Sequence, residues 1–321
     1  MTSRRVAVVG SANLDVVAFA PRAPGAGETV LGSHFVHGVG GKGANQALAA
    51  AKVARTAFVG AVGQDEAASE ILQALGDGGV DTSFVKSTAR PTGRAFITVS
   101  SEGENRILVI PEANSEVTPV DVTTALAQWR PAVVLSQLET PMPAVDAASE
   151  WAEANHATFV LNPSPIRDLD PALLKRCSVL IVNVHEARQI VGRRGASLEA
   201  PDLVHTLLGT TKAVIITDGP YGAFLGRADL PVTHVPAVTV PVRDTTGAGD
   251  EFAGVVGAAL AAGASLEEAV TQGNAAASSI VGLSREEREQ LRSAIGSANG
   301  LSERSCAPDT FNGNKARFVQ D

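Results

Sequence analysis

Short β-branched runs alternate with Ala- and Leu-rich stretches of helical period along most of this chain. The runs fall at residues 6–9, 57–61, 133–136, 159–161, 179–182 and 213–217, and the helical stretches at 44–53, 67–75, 143–154, 186–191 and 252–262. Strands that are apolar at nearly every position are covered on both faces. The alternation therefore predicts βαβ units and a three-layer α/β/α sandwich, with a central, mostly parallel sheet and ligands at the strand C-termini. Two places break the rhythm. Residues 14–19 with 29–36, and 93–99 with 106–110, read as half-buried strands joined by turns such as Pro24-Gly25 and Glu102-Gly-Glu-Asn105. Drawn from about 12–40 and 92–111, they predict a small β-sheet lid over the active edge, whose exposed face pairs two subunits.

Length allows one large α/β domain, which we place at 1–295 of the 321 residues. After Val281 the chain turns charged. Residues 284–292 predict a capped, solvated helix, and 296–321 lose apolar periodicity and predict a disordered tail. The formal net charge of −8 comes with no basic stripe, which argues against a nucleic-acid partner. No apolar run has the length of a membrane span or the layout of a signal peptide. Cys177 and Cys306 stand far apart without metal-ligand spacing, as in a reducing compartment. Together these features point to a soluble, cytoplasmic protein.

Chemistry concentrates at Asp244-Thr-Thr-Gly-Ala-Gly-Asp-Glu-Phe-Ala-Gly254. Gly247, Ala248 and Gly249 can turn backbone N–H groups toward one point, and the helix that follows adds its positive dipole end, so an anion such as a phosphate is favoured there. Asp250 would face whatever hydroxyl approaches that phosphate. These are the parts of a phosphoryl-transfer centre, although the segment also reads as an ordinary turn whose aspartate caps the helix.

Residues 38–45, Gly-Val-Gly-Gly-Lys-Gly-Ala-Asn, satisfy G-x-G-x-x-G through Gly38, Gly40 and Gly43, with Asp65 at a distance suited to a ribose-binding carboxylate. A dinucleotide site is one reading. Closely approaching backbone around Gly40 and Gly41, with Lys42 and Asn45 aimed into a polar pocket for sugar hydroxyls and a phosphate, is another. A glycine turn capping a helix is a third. Asn13 and Asp15, two apart in an extended segment, point the same way and suit adjacent hydroxyls of a small polyol. Glu139 follows the strand 133–136 as a second carboxylate at a strand end, or is a solvated loop residue. Asn183 and Glu186 open a helix, where a carboxylate can orient Mg²⁺ through water and a capping box would look the same. The turn from Thr217 to Gly222 suits nucleotide phosphate and ribose, or is a plain hairpin.

In order, the segments Gly10-Ser-Ala-Asn-Leu-Asp15, Pro24 to Val30, Gly40-Gly-Lys-Gly-Ala-Asn-Gln46, Gly103-Glu-Asn105, Gln137-Leu-Glu139, Leu161-Asn-Pro-Ser-Pro165, Asn183 to Glu186 and Asp244 to Gly254 resemble the ribokinase-like family of sugar kinases. The resemblance runs from about Val6 to Val281. It implies ATP-dependent phosphorylation of a primary sugar hydroxyl, with D-ribose and ATP as partners, ribose 5-phosphate as product, Mg²⁺ as cofactor and a dimer through the lid. It further implies that Asn13, Asp15, Gly41, Lys42, Asn45 and Glu139 bind the sugar, that Asp250 is the base, and that Gly247, Ala248 and Gly249 form an anion hole. Asn183 and Glu186 would serve the Mg-ATP phosphates, and Thr217, Gly219, Gly222 and Asn274 would line the nucleotide site. Glu251 and Ala253 depart from the family pattern. After Val281 the usual Arg-x-Gly-Ala-like loop is replaced by Gly282-Leu-Ser-Arg-Glu-Glu-Arg, so Asp244 and Thr246 make only half of a K⁺ site. A displaced reading frame would explain that break. The alternatives are a nucleoside or other sugar kinase of the same fold, a dinucleotide-binding oxidoreductase, and a sugar-binding protein without turnover.

Overall fold

Val6 and Val8 face one apolar layer and Ala7 and Val9 the other, which is why the first strand is apolar at every position from Val6 to Val9. The computed structural model describes residues 4–228, 230–283 and 287. Its strands are β1 Arg5–Val9, β2 Asn13–Phe19, β3 His34–Gly40, β4 Arg55–Val62, β5 Val80–Ser87, β6 Gly93–Val99, β7 Asn105–Ile110, β8 Val133–Ser136, β9 Thr158–Leu161, β10 Val179–Asn183, β11 Ala213–Thr217, β12 Ala223–Arg227 and β13 Thr233–Val235. The helices are α1 Lys42–Ala51, α2 Glu66–Asp77, α3 Pro119–Trp129, α4 Met142–Ala154, α5 Pro171–Arg176, α6 Val184–Val191, α7 Ala200–Leu208, α8 Ala248–Ala262 and α9 Leu266–Val281.

Among the described residues the main sheet has nine strands in the order β13-β12-β11-β10-β9-β8-β1-β4-β5. It is parallel from β11 to β5, with β12 and β13 antiparallel at one edge. Residues of α1, α2, α8 and α9 build the core on one face, and those of α3 to α7 build it on the other. The three-layer α/β/α expectation holds. Chain order reverses at β1, which lies between β4 and β8, and such a switch leaves a crevice beyond the strand ends.

The second sheet has the order β3-β2-β6-β7. Its first strand pair corrects the expectation of a strand at 29–36, because β3 begins at His34 and continues to Gly40. The register explains the shift. Asp15 pairs with Gly38 and Asn13 with Gly40, and a Cβ on Gly40 would overlap the Asp15 carboxylate, so only the glycine-bearing stretch fits beside β2. A helix beginning at Phe252 is also corrected. α8 begins at Ala248, with Gly247 rather than Asp250 as its N-cap, because Gly247 takes φ 79°, a left-handed turn most residues resist. The expected helix at 284–292 and the tail at 296–321 lie outside the described residues, apart from Glu287, whose carboxylate accepts from Arg243 Nη1 at 2.8 Å.

Candidate active site

Backbone packing comes first. A Cβ on Gly43 would lie 2.6 Å from the Gly10 carbonyl carbon and the Ser11 nitrogen, so α1 can press against the end of β1 only without side chains there. Gly41 takes φ 84° and lies against Ala12 and Asn13, which turns β3 directly into α1. This close approach sets the start of α1, which carries Lys42 and Asn45, directly after the Gly40 that pairs with Asn13. Lys42 N donates to Glu139 Oε2 at 3.0 Å, and the same oxygen accepts from the Ser11 hydroxyl, so Glu139 bridges β1 and α1. Asn13 is almost fully buried, and its Oδ1 accepts from Asn114 Nδ2 at 2.8 Å. Asn114 also exchanges hydrogen bonds with both backbone groups of Ala12, clamping the segment that carries the sugar candidates.

The dinucleotide reading of residues 38–43 does not survive. Gly38 and Gly40 belong to an antiparallel lid strand, not to the turn after a parallel strand. Asp65 caps α2 through Ala68 N at 3.0 Å and binds the Thr92 hydroxyl and amide.

Asp250 sits in the first turn of α8 with only 8% of its surface exposed. Its Oδ1 accepts from Gln46 Nε2 at 2.9 Å and its Oδ2 from Asn45 Nδ2 at 3.3 Å. Gly249, one residue earlier, has nothing within 4 Å of where a Cβ would stand, so a ligand can approach the backbone there. Glu251, which departs from the family pattern, pairs with Lys52 Nζ at 2.5 Å, so the extra negative charge is neutralised on the α1 side. Burial pulls the Lys42 ammonium down, but Asp250, Glu139 and Glu186 together outweigh it and hold its pKa above the ordinary lysine value. One half-buried cation thus lies in the field of the expected base, the expected sugar carboxylate and the expected metal carboxylate.

The remaining candidates lie along the next strand ends. β10 and β11 place Asn183 and Thr217 side by side in register. Asn183 and Glu186 form a full capping box, with Glu186 N donating to Asn183 Oδ1 at 2.8 Å and Asn183 N to Glu186 Oε2 at 2.9 Å. The capping reading is therefore correct and leaves the half-buried carboxylate at the crevice. Gly219 and Gly222 shape the turn between β11 and β12, and Gly222 packs on residues 235–237. Asn274, from α9, donates to Val235 O at 3.0 Å and Pro236 O at 3.1 Å, so it braces that same segment. Asp244 Oδ1 accepts from Thr246 N at 2.8 Å, a tight turn leading into Gly247, and Asn105 of the lid reaches the Thr246 hydroxyl.

Residue-by-residue reading missed Ser11, Gln46, Asn114, Gln137 and Asn162. Ser11, Gln46, Gln137 and Asn162 stood inside motifs that carry the resemblance, so a signal existed. Asn114, in a short 3₁₀ turn at 112–116 after the lid, had none.

A pfkB family carbohydrate kinase profile matches residues 3–286. A ribokinase of Bacillus subtilis (strain 168) is 36% identical over 280 residues, covering 86% of this chain and 92% of that protein. The chain belongs to the pfkB family of carbohydrate kinases. The enzyme class expected from the sequence, an ATP-dependent carbohydrate kinase, stands. Among solved structures, the ribokinase of Thermotoga maritima superposes on this kinase with a TM-score of 0.81 at 28% identity, covering 92% of this chain and 99% of the other. Arabidopsis thaliana ribokinase complexed with ribose and ATP gives a TM-score of 0.76 at 28% identity, covering 91% and 99%. Ribokinase-type kinases are thus its neighbours in both sequence and fold. No helix among the described residues is long and apolar enough to cross a membrane.

Proposed function

We propose that this kinase transfers the γ-phosphoryl group of ATP to the 5-hydroxyl of D-ribose, giving ribose 5-phosphate and ADP. The carrying observation is the placement of Asp250: a buried carboxylate in the first turn of α8, beside the open Gly249 backbone and within the field of Lys42. Asp250 takes the hydroxyl proton as the sugar oxygen bonds to the γ-phosphorus and the bond to the ADP oxygen breaks. Gly247, Ala248 and Gly249 receive the transferred group at the positive end of α8. Asn13, Asp15, Gly41, Lys42, Asn45 and Glu139 hold the sugar. Thr217, Gly219 and Gly222 line the nucleotide, and Asn274 acts through the segment it braces.

No cluster of three or more His, Cys, Asp or Glu suited to a metal occurs among the described residues. A single carboxylate, Glu186, beside Asn183 fits Mg²⁺, which keeps its waters and leans on substrate phosphates. When bound, Mg²⁺ supplies neutralising charge at the phosphates. Asp244 and Thr246 offer a carboxylate and a hydroxyl toward K⁺, half of the site that the family resemblance implies.

The sugar reading is favoured over a nucleoside by the lid. Phe35 and Phe96 register with Ala18 and Val16, on the face opposite Asn13 and Asp15, so neither stacks a base over the sugar residues. That outer face also carries Leu108 and is the natural seat of a homodimer in the cytoplasm. A cavity of about 640 Å³ between it and α2 shares no residue with the candidate site.

The deciding measurement is ADP release with ribose, deoxyribose, fructose and adenosine, with and without K⁺, for the native kinase and Asp250→Asn. Ribose should be the preferred acceptor. Asp250→Asn should lower kcat by about 10²–10⁴-fold while sugar binding stays within a few-fold. Near-normal kcat in that variant sinks the base assignment.

A further inference from the structure

Behind Asp250 lies a chain of side-chain amides that the reaction as described does not use. Gln46 and Gln137 are fully buried, and Asn162 is 8% exposed. Asn162 Nδ2 donates to the Ile181 carbonyl of β10 at 2.9 Å, which fixes its amide orientation, because that carbonyl can only accept. Asn162 Oδ1 must then accept, and it does so from Gln46 Nε2 at 3.0 Å. The same Gln46 nitrogen donates to Asp250 Oδ1 at 2.9 Å, while Gln46 Oε1 accepts from Gln137 Nε2 at 2.5 Å. Both hydrogens of the Gln46 amide are committed, and its orientation is dictated by the ends of β8, β9 and β10.

We propose that Gln46, anchored by Gln137 and Asn162, is a positioning residue that commits Asp250 Oδ1 and so leaves Oδ2 to take the sugar proton. The inference rests on the assignment of Asp250 as base. A neutral donor aimed at one carboxylate oxygen fixes the orientation of the group without adding charge. Among the described residues Oδ2 is held only by Asn45 Nδ2 at 3.3 Å, and the buried Asn45 Oδ1 has no hydrogen-bond partner there, so this side of the carboxylate faces polar groups that a sugar completes. An acid in place of Gln46 would face Asp250 with a second acceptor, and the two carboxyls would share a proton.

The test uses the full chain with ribose and Mg-ATP, reading kcat against pH and sugar affinity by calorimetry for Gln46→Leu, Gln46→Glu, Gln137→Met and Asp250→Asn. Gln46→Leu is expected to lose about 10–100-fold in kcat, the range for a supporting hydrogen-bond partner, with sugar affinity within a few-fold. In Gln46→Glu the acid limb of kcat should move up by about one pH unit or more. Gln137→Met keeps the donor but loosens its anchor, and should show a smaller loss with the same direction of pH shift. It decides the matter if the Gln46 variants do not fold. Near-normal turnover by Asp250→Asn sinks the base assignment and the inference with it. An inactive Asp250→Asn beside folded Gln46 or Gln137 variants with native kcat and acid limb overturns the inference alone.

Discussion

The two halves of the crevice are built on different physics. The half proposed for the sugar, from Gly10 to Asn45 with Glu139, is held by backbone surfaces touching at Gly41 and Gly43 and by buried amides and carboxylates held in hydrogen bonds. The half proposed for the nucleotide, from Asn183 through the turn at 217–222 to Gly249, is made of turns that satisfy themselves, such as the Asn183–Glu186 box and the Asp244–Thr246 turn. Packing errors in the first half should therefore damage folding and function together. In the second half they should damage function alone.

Gly43→Ala breaks the comparison most severely. The new methyl meets the Gly10–Ser11 backbone, so overpacking should cost about 1–3 kcal/mol in thermal or denaturant unfolding. The displaced Lys42 and Asn45 should lower kcat/KM for the sugar about a hundredfold, as a 1 Å misplacement does. Gly249→Ala is the matched change in the other half. Space is open there and the backbone is helical, so stability should hold or rise by about 0.5–1 kcal/mol, while the methyl obstructs the approaching phosphate and raises KM for ATP by about tenfold or more. A Gly249→Ala protein that unfolds early would erase the contrast.

Glu186→Gln sharpens it further. The cap survives because an amide oxygen can still accept from Asn183 N, so stability should change by less than about 0.5 kcal/mol. KM for Mg-ATP should rise about tenfold with KM for the sugar nearly unchanged. The smallest effect concerns pH. With its folded pKa raised above the ordinary lysine value, Lys42 contributes stability that is fully present below that value and is lost only as pH rises through the higher folded one. Between pH 7 and about pH 10 neither unfolding free energy nor kcat/KM should show a falling limb from this group. A limb that disappears in Lys42→Met would contradict the electrostatics described above.

The apolar strands, their helical partners and the location of chemistry at strand ends were legible in the chain, because burial on both faces and glycine turns leave local signatures. The glycine turn before α8 and the capping box at Asn183 were legible for the same reason, since each is a short-range arrangement, and the proposed base, Asp250, stands out beside that turn. The N-cap of α8 was not, because Asp and Gly compete for that position and only the left-handed turn at Gly247 decides it.

By itself the sequence determined which segments are strands and helices over most of the chain, and which residue types gather near Asp250. Only the tertiary structure decided that Asp65 braces the lid junction instead of a ribose, that β3 ends at Gly40, and that three buried amides from separate strand ends and α1 link into a chain of which one member, Gln46, donates to an Asp250 carboxylate oxygen. The reason is separation along the chain. Gln46 and Asp250 are 204 residues apart, and no periodicity or spacing encodes a hydrogen bond that exists only once the sheet has brought its strand ends together.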